Sequence, residues 1–222
     1  MAEFDRIRWA IIVNSLMIVL VAYSILPVLI RFTVTTEYAS TLHPLLFYTN
    51  WSNILAAVAA GCSIYCIRKG TRMPKAIAVL KLASTMMLTV TFLVVTLLFA
   101  PYVGPSVLLD PSSNLFLHLI VPILSVMDLL FLADIDAFRK KDALLALMPM
   151  ACYTIGIITV LLIAGNDDLA PYPFMRMHTQ PIWQSILWFI ILYGLGFGLS
   201  CLYSRLVKRF NPYVSENDGQ KG

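Results

Sequence analysis

The sequence predicts an all-α polytopic membrane protein: a single bundle of six transmembrane helices with both termini in the cytoplasm. Three observations predict this fold class, namely the composition, the number of long apolar stretches and the distribution of the basic residues. Of the 222 residues, 59% are hydrophobic and 13% are charged, whereas soluble domains contain about 25% charged residues. This composition leaves no room for a soluble domain, and we expect no nucleic-acid partner, because the positive charges are explained by membrane topology.

Six stretches of the chain reach the roughly 20 apolar residues that a helix needs to cross the hydrocarbon core of a bilayer. They are residues 9–30, 45–67, 77–99, 115–133, 144–164 and 183–203. The first stretch is too long for the core of a signal peptide and has no small-residue cleavage site after it, so we expect it to be a retained span. One transmembrane domain over residues 1–210 is therefore predicted, followed by a disordered tail over 211–222.

The basic residues are concentrated on one side of the predicted bundle. That side carries Arg6, Arg8, Arg68, Lys69, Arg72, Lys75, Arg139, Lys140, Lys141, Arg205, Lys208 and Arg209, and the other side carries Arg31 and Arg176. Loops rich in lysine and arginine stay in the cytoplasm during membrane insertion. The pattern therefore predicts cytoplasmic termini and external loops at residues 32–44, 100–114 and 165–182.

The second span begins with unusually polar residues for a membrane helix. Its first turns, within the stretch FYTNWSNIL at 47–55, contain Thr49, Asn50, Ser52 and Asn53. Each of these groups is costly in hydrocarbon unless it is hydrogen-bonded. We interpret this stretch as a candidate functional site.

His118 is the strongest candidate partner for Thr49, because both residues are predicted at the same depth. At ~1.5 Å per residue, Thr49 lies ~6 Å and His118 ~5 Å below the external end of its span. A histidine beside a threonine can take the hydroxyl proton and make the oxygen a nucleophile. Asn50 or Asn53 is a candidate donor to the oxyanion. Polar residues that merely link two helices would give the same pattern, and the sequence does not say whether these helices adjoin.

Two charged residues fall within predicted spans. Asp128 lies ~15 Å deeper than His118, which is too far to orient the imidazole. An ionisable group at this depth suggests function by default, but we expect a structural hydrogen bond from Asp128 to one of three residues: Thr85, Thr89 or Tyr153. Lys81 is expected to extend its side chain to the cytoplasmic surface.

Glycines and prolines within the spans predict packing features. Gly194 and Gly198 are spaced for close contact between helices. The three prolines within spans are expected to kink their helices, and they are Pro27, Pro122 and Pro149.

A metal or haem site is a weaker interpretation of the histidines. It would pair His118 with His43 or His178, yet no two histidines have a fixed helical spacing. Asp167 and Asp168 are expected in a solvated loop. We therefore predict neither a metal nor an organic cofactor.

Three stretches together resemble the androgen-induced protein family: FYTNWSNIL at 47–55, LHLIVPILSVMDLLF at 117–131 and PYPF at 171–174. That family comprises six-helix membrane hydrolases of fatty acid esters of hydroxy fatty acids. The resemblance extends from the first span to the sixth, and the short loops are similar to those of the bacterial branch. It implies that Thr49 is the nucleophile and His118 its partner.

The resemblance also places Tyr172 and Phe174 in the external loop before the last span, where we expect them to shape the entrance to the site. The polar residues Asn50, Ser52 and Asn53 depart from the animal members, in which hydrophobic residues continue after the threonine. The expected consequence is a different ester, a wetter site or a bacterial role that does not involve this lipid.

The predicted function is hydrolysis of fatty-acyl esters by an integral protein of the bacterial cytoplasmic membrane. The partners implied are a lipid or fatty-acyl ester substrate and the bilayer itself, and the sequence predicts no oligomeric state. The alternative is a non-enzymatic carrier or channel that binds a small molecule or lipid at the polar start of the second span. A continuous polar path from Thr49 to Asp128 would favour this carrier, and a closed apolar cavity ending at Thr49 would favour the hydrolase.

Overall fold

The computed structural model describes residues 3–34, 42–110 and 114–214, and these residues form helices and connecting turns with no β-strand among them. The helices in these ranges are α1 (Glu3–Val34), α2 (Tyr48–Arg68), α3 (Lys75–Val94), α4 (Ala100–Val103), α5 (Ser106–Leu109), α6 (Val121–Met127), α7 (Lys140–Leu145), α8 (Met148–Ala164) and α9 (Ile182–Phe210). The all-α fold class is confirmed.

Five helical segments in the described ranges are long and apolar enough to cross a membrane: Phe4–Phe32, Tyr48–Arg68, Lys75–Val103, Lys140–Ala164 and Ile182–Phe210. The predicted fourth span is a shorter apolar segment, Phe116–Leu132. It consists of a π-helical turn at Phe116–Ile120, then α6, then a second π-helical turn at Asp128–Leu132. The five long helices are compatible with an integral membrane protein.

Helix α3 is the most enclosed of the long helices, and every residue from Lys81 to Leu88 is buried. It packs against α2, α6 and α9. Large apolar side chains of α1, α8 and α9 remain exposed on the outside of the bundle, for example Val19, Ile163 and Ile190. Such an extensive apolar surface is typical of a protein in contact with lipid.

A buried charge cluster joins α1, α3 and the second π-helical turn. The Lys81 ammonium donates to an oxygen of Asp128 and to Asn14 Oδ1, the latter at 3.1 Å, and Asn14 Nδ2 donates to Asp128 Oδ1 at 2.8 Å. Exposure is 2% for Lys81, 1% for Asp128 and 0% for Asn14. The expectation that Lys81 reaches the surface is therefore wrong.

The three hydroxyl groups expected to bind Asp128 have other partners. Thr85 bonds to Ser125 at 2.7 Å, Thr89 to Tyr203 at 2.7 Å, and Tyr153 to the carbonyl of Leu46 at 2.7 Å. The physical reason why Asp128 pairs with Lys81 and not with a hydroxyl group is charge. A hydroxyl cannot neutralise a carboxylate in a low-dielectric interior, whereas an ammonium can.

Close packing on α9 occurs at Gly196 instead of at Gly194 and Gly198. A Cβ atom at Gly196 would come within 3.2 Å of Leu147 and Met86, whereas no described residue lies within 4 Å of that position at Gly194 or Gly198. Pro149 lies in the first turn of α8, just after the break that separates α7 from α8. It therefore lies where the helical segment Lys140–Ala164 is interrupted.

The described chain remains packed beyond the predicted end of the domain. Asn211 Nδ2 donates to the carbonyls of Leu129 at 3.1 Å and Ala133 at 3.0 Å, and Val214 is buried. The rest of the predicted tail, residues 215–222, lies outside the described residues.

The charge cluster predicts a specific pattern of stabilities. Breaking a buried ion pair costs about 3–5 kcal/mol, because one charge stays buried without a partner. We expect Asp128→Asn and Lys81→Met each to lower the free energy of unfolding by this amount, measured by chemical denaturation in detergent micelles. The double substitution Lys81→Met with Asp128→Leu should recover most of the loss.

The matched control is Asp134→Asn. Asp134 pairs with Arg72 at 3.1 Å, and both side chains are 39% exposed, so its loss should cost less than about 1 kcal/mol. Equal losses for Asp128→Asn and Asp134→Asn would contradict the central role of the cluster.

Candidate functional site

The start of α2 is fixed by side chains that bond back to the preceding turn. A 3₁₀ turn at Pro44–Leu46 leads through Phe47 into the helix. Asn50 Nδ2 donates to the Pro44 carbonyl at 2.7 Å, and Trp51 Nε1 donates to the Leu45 carbonyl at 2.7 Å. Asn50 therefore connects the helix to its own entry turn.

Thr49 lines a small cavity of about 40 Å³. Its walls are mostly apolar and come from α3, α8, α9 and the loop that carries Tyr172 and Phe174; they include Val90, Val94, Met150, Phe189 and Leu192. A cavity of this size has room for one or a few water molecules. In this conformation it cannot hold a fatty-acyl ester.

Tyr172 lines the cavity beside Thr49. Its ring stacks on Phe174 with centroids 5.3 Å apart, and it meets Phe47 edge-on at 6.1 Å. Burial raises the pKa of Tyr172, and this effect outweighs the lowering by hydrogen bonds from the Thr49 side chain and from the backbone of Tyr48 and Thr49. The Tyr172 hydroxyl is therefore a neutral group directly beside the Thr49 hydroxyl.

Asn53 links the first turn of α2 to the segment that carries His118. Its Nδ2 donates to the Thr49 carbonyl at 2.8 Å and to the Leu117 carbonyl at 3.2 Å. Helix α2 and the short apolar segment are thus in contact at the level of Thr49. The sequence did not show whether these two elements adjoin. Ser52 adds a link from the same turn to Thr91 of α3, at 3.3 Å.

His118 lies in the first π-helical turn of the short apolar segment. Its Nδ1 atom is buried without a hydrogen-bond partner among the described residues. Single π-helical turns are rare and occur frequently at functional sites. Within the described chain, no hydrogen bond joins His118 to Thr49.

The predicted site residues therefore fall into three groups. Thr49, Tyr172 and Phe174 line the cavity. Asn53 and His118 lie where α2 meets the short apolar segment, and Asn50 bonds to its own entry turn.

Sequence reasoning missed the role of Tyr153, which separates the cavity from a larger groove. The groove has a volume of about 600 Å³ and is lined by apolar residues of α2 and α8, including Trp51, Leu55 and Ile157. Tyr153 lines both spaces and meets Tyr48 edge-on at 5.1 Å. The sequence shows a tyrosine in an apolar helix, but it does not show that Tyr48 lies beside this tyrosine.

The three histidines have separate surroundings. His43 Nδ1 accepts from the Leu45 amide at 3.1 Å, and His178 bonds to Asp167. Asp167 also accepts from the amide of Thr179 at 2.8 Å and from its hydroxyl at 2.7 Å. Asp167 thus holds the loop before α9 in place and is not simply solvated.

Comparison of the chain with protein-family models, curated proteins and solved structures gives no significant match. The resemblance to the androgen-induced protein family therefore stays a prediction. The function has to be argued from the geometry of the site itself.

The Asp167 contacts predict a change of loop stability with acid. Partial burial alone would raise the pKa of Asp167, but hydrogen bonds from Thr179 and His178 outweigh it and lower the pKa to about 2, from an ordinary value of about 3.9. A carboxylate with a lowered pKa stabilises the fold above its ordinary pKa, and this stabilisation is lost as the pH falls through 2. We expect Asp167→Asn to lower the unfolding temperature at pH 6 and to have little effect near pH 2.

The neighbouring substitution Asp168→Asn is the control, because the Asp168 carboxylate makes none of these hydrogen bonds. It should leave the unfolding temperature unchanged at both pH values. An Asp167→Asn effect that is as large at pH 2 as at pH 6 would contradict the assignment.

Proposed function

We propose that the chain is an intramembrane hydrolase of fatty-acyl esters, with Thr49 as nucleophile and His118 as general base. The observation that carries the proposal is the double hydrogen bond of Asn53, which ties the turn of Thr49 to the carbonyl of Leu117, the residue before His118. Two further observations support it. The His118 Nδ1 atom is buried without a partner among the described residues, and Thr49 faces a mostly apolar cavity.

The reaction would proceed in two balanced steps. In the first step, the Thr49 oxygen attacks the ester carbonyl carbon while His118 takes the hydroxyl proton. The bond from the carbonyl carbon to the leaving oxygen then breaks, and His118 gives the proton to the leaving oxygen. In the second, water gives a proton to His118 and attacks the acyl-threonine. The acid is released, and Thr49 regains its proton. Because a small cavity in apolar surroundings admits few waters, the second step would use an ordered molecule.

The hydrogen bonds of the two asparagines favour different roles. A side-chain amide nitrogen carries two hydrogens, and both of those of Asn53 are already donated to carbonyls. Asn53 is therefore better suited to position the two helices than to stabilise an oxyanion. Asn50 donates one hydrogen to Pro44 and keeps one for a developing oxyanion, so it is the better candidate for that role.

The groove beside Tyr153 would hold the acyl chain. Its volume of about 600 Å³ falls in the range of about 300–1,000 Å³ that is usual for ligand pockets. Since Tyr153 lines both the groove and the cavity, a movement of this side chain would join them. The substrate class that fits is an ester with a long apolar chain, taken directly from the bilayer.

The proposal includes the topology predicted from the sequence. The segment Phe116–Leu132 would be the fourth of six membrane-spanning elements, with both termini in the cytoplasm and Thr49 near the external face of a bacterial inner membrane. The pairing of Lys81 with Asp128 supports this arrangement, because it removes the cost of an unpaired charge within the hydrocarbon.

The arrangement of the cavities supports the hydrolase over a carrier. A second cavity of about 250 Å³ is lined by Asn14 and Asp128. Among the described residues, it shares no lining side chain with the cavity at Thr49. A carrier that moves a polar ligand from Thr49 to Asp128 would need the two spaces to connect.

Substitution of the two catalytic residues tests the proposal. We expect Thr49→Ala to abolish hydrolysis of a long-chain fatty-acyl ester by the purified protein and His118→Ala to reduce kcat by about 10²–10⁴-fold. Thr49→Ser keeps a hydroxyl and should retain activity. A fluorophosphonate probe should label the wild type on the peptide that contains Thr49, as read by mass spectrometry.

The matched control is Thr154→Ala. Thr154 lines the same cavity, but its hydroxyl donates to the Met150 carbonyl at 3.0 Å, so its removal should change the rate little. Full activity in Thr49→Ala, or labelling that persists in it, would refute the assignment.

A substitution that fills the groove should change the KM for long-chain esters but not the KM for short-chain esters. Gly156 lines the groove, and a Cβ atom there would meet none of the described residues within 4 Å, so Gly156→Phe fits into the space that the acyl chain would occupy. We expect a raised KM for long-chain esters and an unchanged KM for short-chain esters in steady-state assays. The control is Gly194→Phe, at an equally open position on α9 outside the groove, and it should change neither KM. An equal effect of both variants would contradict the proposal that the groove holds the acyl chain.

A further inference from the structure

An open cleft at the end of the bundle near the chain termini is lined by four basic residues: Lys75, Arg139, Lys141 and Lys208. It has a volume of about 920 Å³ and lies where α3 and α7 begin and α9 ends. Two carboxylates, those of Asp136 and Asp142, also line it.

Both carboxylates are already paired. Asp142 forms an ion pair with Lys75 at 2.8 Å, and Asp136 pairs with Arg72 at 2.8 Å. Among the described residues, no carboxylate forms an ion pair with the other three cations, Arg139, Lys141 and Lys208. The cleft therefore has a surplus of exposed positive charge.

The surroundings of these cations are apolar on one side. Val79 and Leu145 line the same cleft, and Leu145 is 49% exposed. Next to it, Leu144 and Met148 are also exposed. These side chains belong to the outer surface of a helix that is apolar enough to cross a membrane. The cleft thus joins a cationic pocket to a surface suited to hydrocarbon chains.

We propose that this cleft binds the headgroup of an anionic phospholipid, with the acyl chains lying against Leu144, Leu145 and Met148. Arg139, Lys141 and Lys208 would contact the phosphate. Basic pockets between membrane helices on the cytoplasmic side recognise anionic headgroups in this way. A soluble phosphate would use the cations but not the adjoining apolar surface, and for this reason the structure favours a lipid.

Native mass spectrometry in detergent tests the proposal on the full chain. Phosphatidylglycerol and phosphatidylcholine with identical acyl chains are added in turn, and the bound fractions are compared. The wild type should prefer phosphatidylglycerol. The triple variant R139Q/K141Q/K208Q should lose this preference by about fivefold for each cation removed.

The control variant R68Q/K69Q/R205Q removes the same charge from basic residues that do not line the cleft. It should keep the wild-type preference. Equal losses in the two variants would overturn the proposal, because they would indicate diffuse surface charge.

Two other outcomes would also overturn it. Complete displacement of phosphatidylglycerol by excess inorganic phosphate would assign the cleft to a soluble anion. A preference that appears only after removal of residues 215–222 would assign the cleft to the acidic residues of the chain's own tail, Glu216 and Asp218.

Discussion

The arrangement of the bundle depends on the buried contact among Lys81, Asp128 and Asn14. Each of these residues is at most 2% exposed, and an unpaired charge in such surroundings is far more costly than a neutral group. The three side chains satisfy one another only when α1, α3 and the second π-helical turn are in one relative position. This requirement fixes the register of three elements at once. Apolar packing between helices fixes a register less effectively, because lipid tails are as apolar as the side chains.

The same register positions the candidate site at the other end of the short apolar segment. Along that segment, Asp128 bonds to Lys81, Ser125 to Thr85, and the carbonyl of Leu117 to Asn53. These links hold the segment against α3 and α2 over its whole length. His118 is consequently held beside the first turn of α2, although it lies ten residues before Asp128. The position of the candidate base is thus a consequence of electrostatics deeper in the bundle.

Much of the fold could be predicted from the sequence, because a bilayer permits few alternatives to long apolar helices. The sequence also predicts Thr49, Tyr172 and Phe174 as site residues, and these three line one cavity. The partners of Asp128 were not predictable, since hydropathy does not determine which helices adjoin. A π-helical turn has more residues per turn than an α-helix, so it also changes the direction of every side chain after it. The number of residues between His118 and Asp128 therefore does not by itself give the relative directions of their side chains.

The role of Tyr153 illustrates a second limit of sequence reasoning, because it depends on two spaces that no motif describes. Tyr153 is held by one hydrogen bond to Leu46 and one edge-to-face contact with Tyr48. Each contact contributes about 1 kcal/mol. In the proposed hydrolase, joining the groove to the cavity requires Tyr153 to give up both contacts and its packing against the apolar cluster that includes Met150 and Leu192.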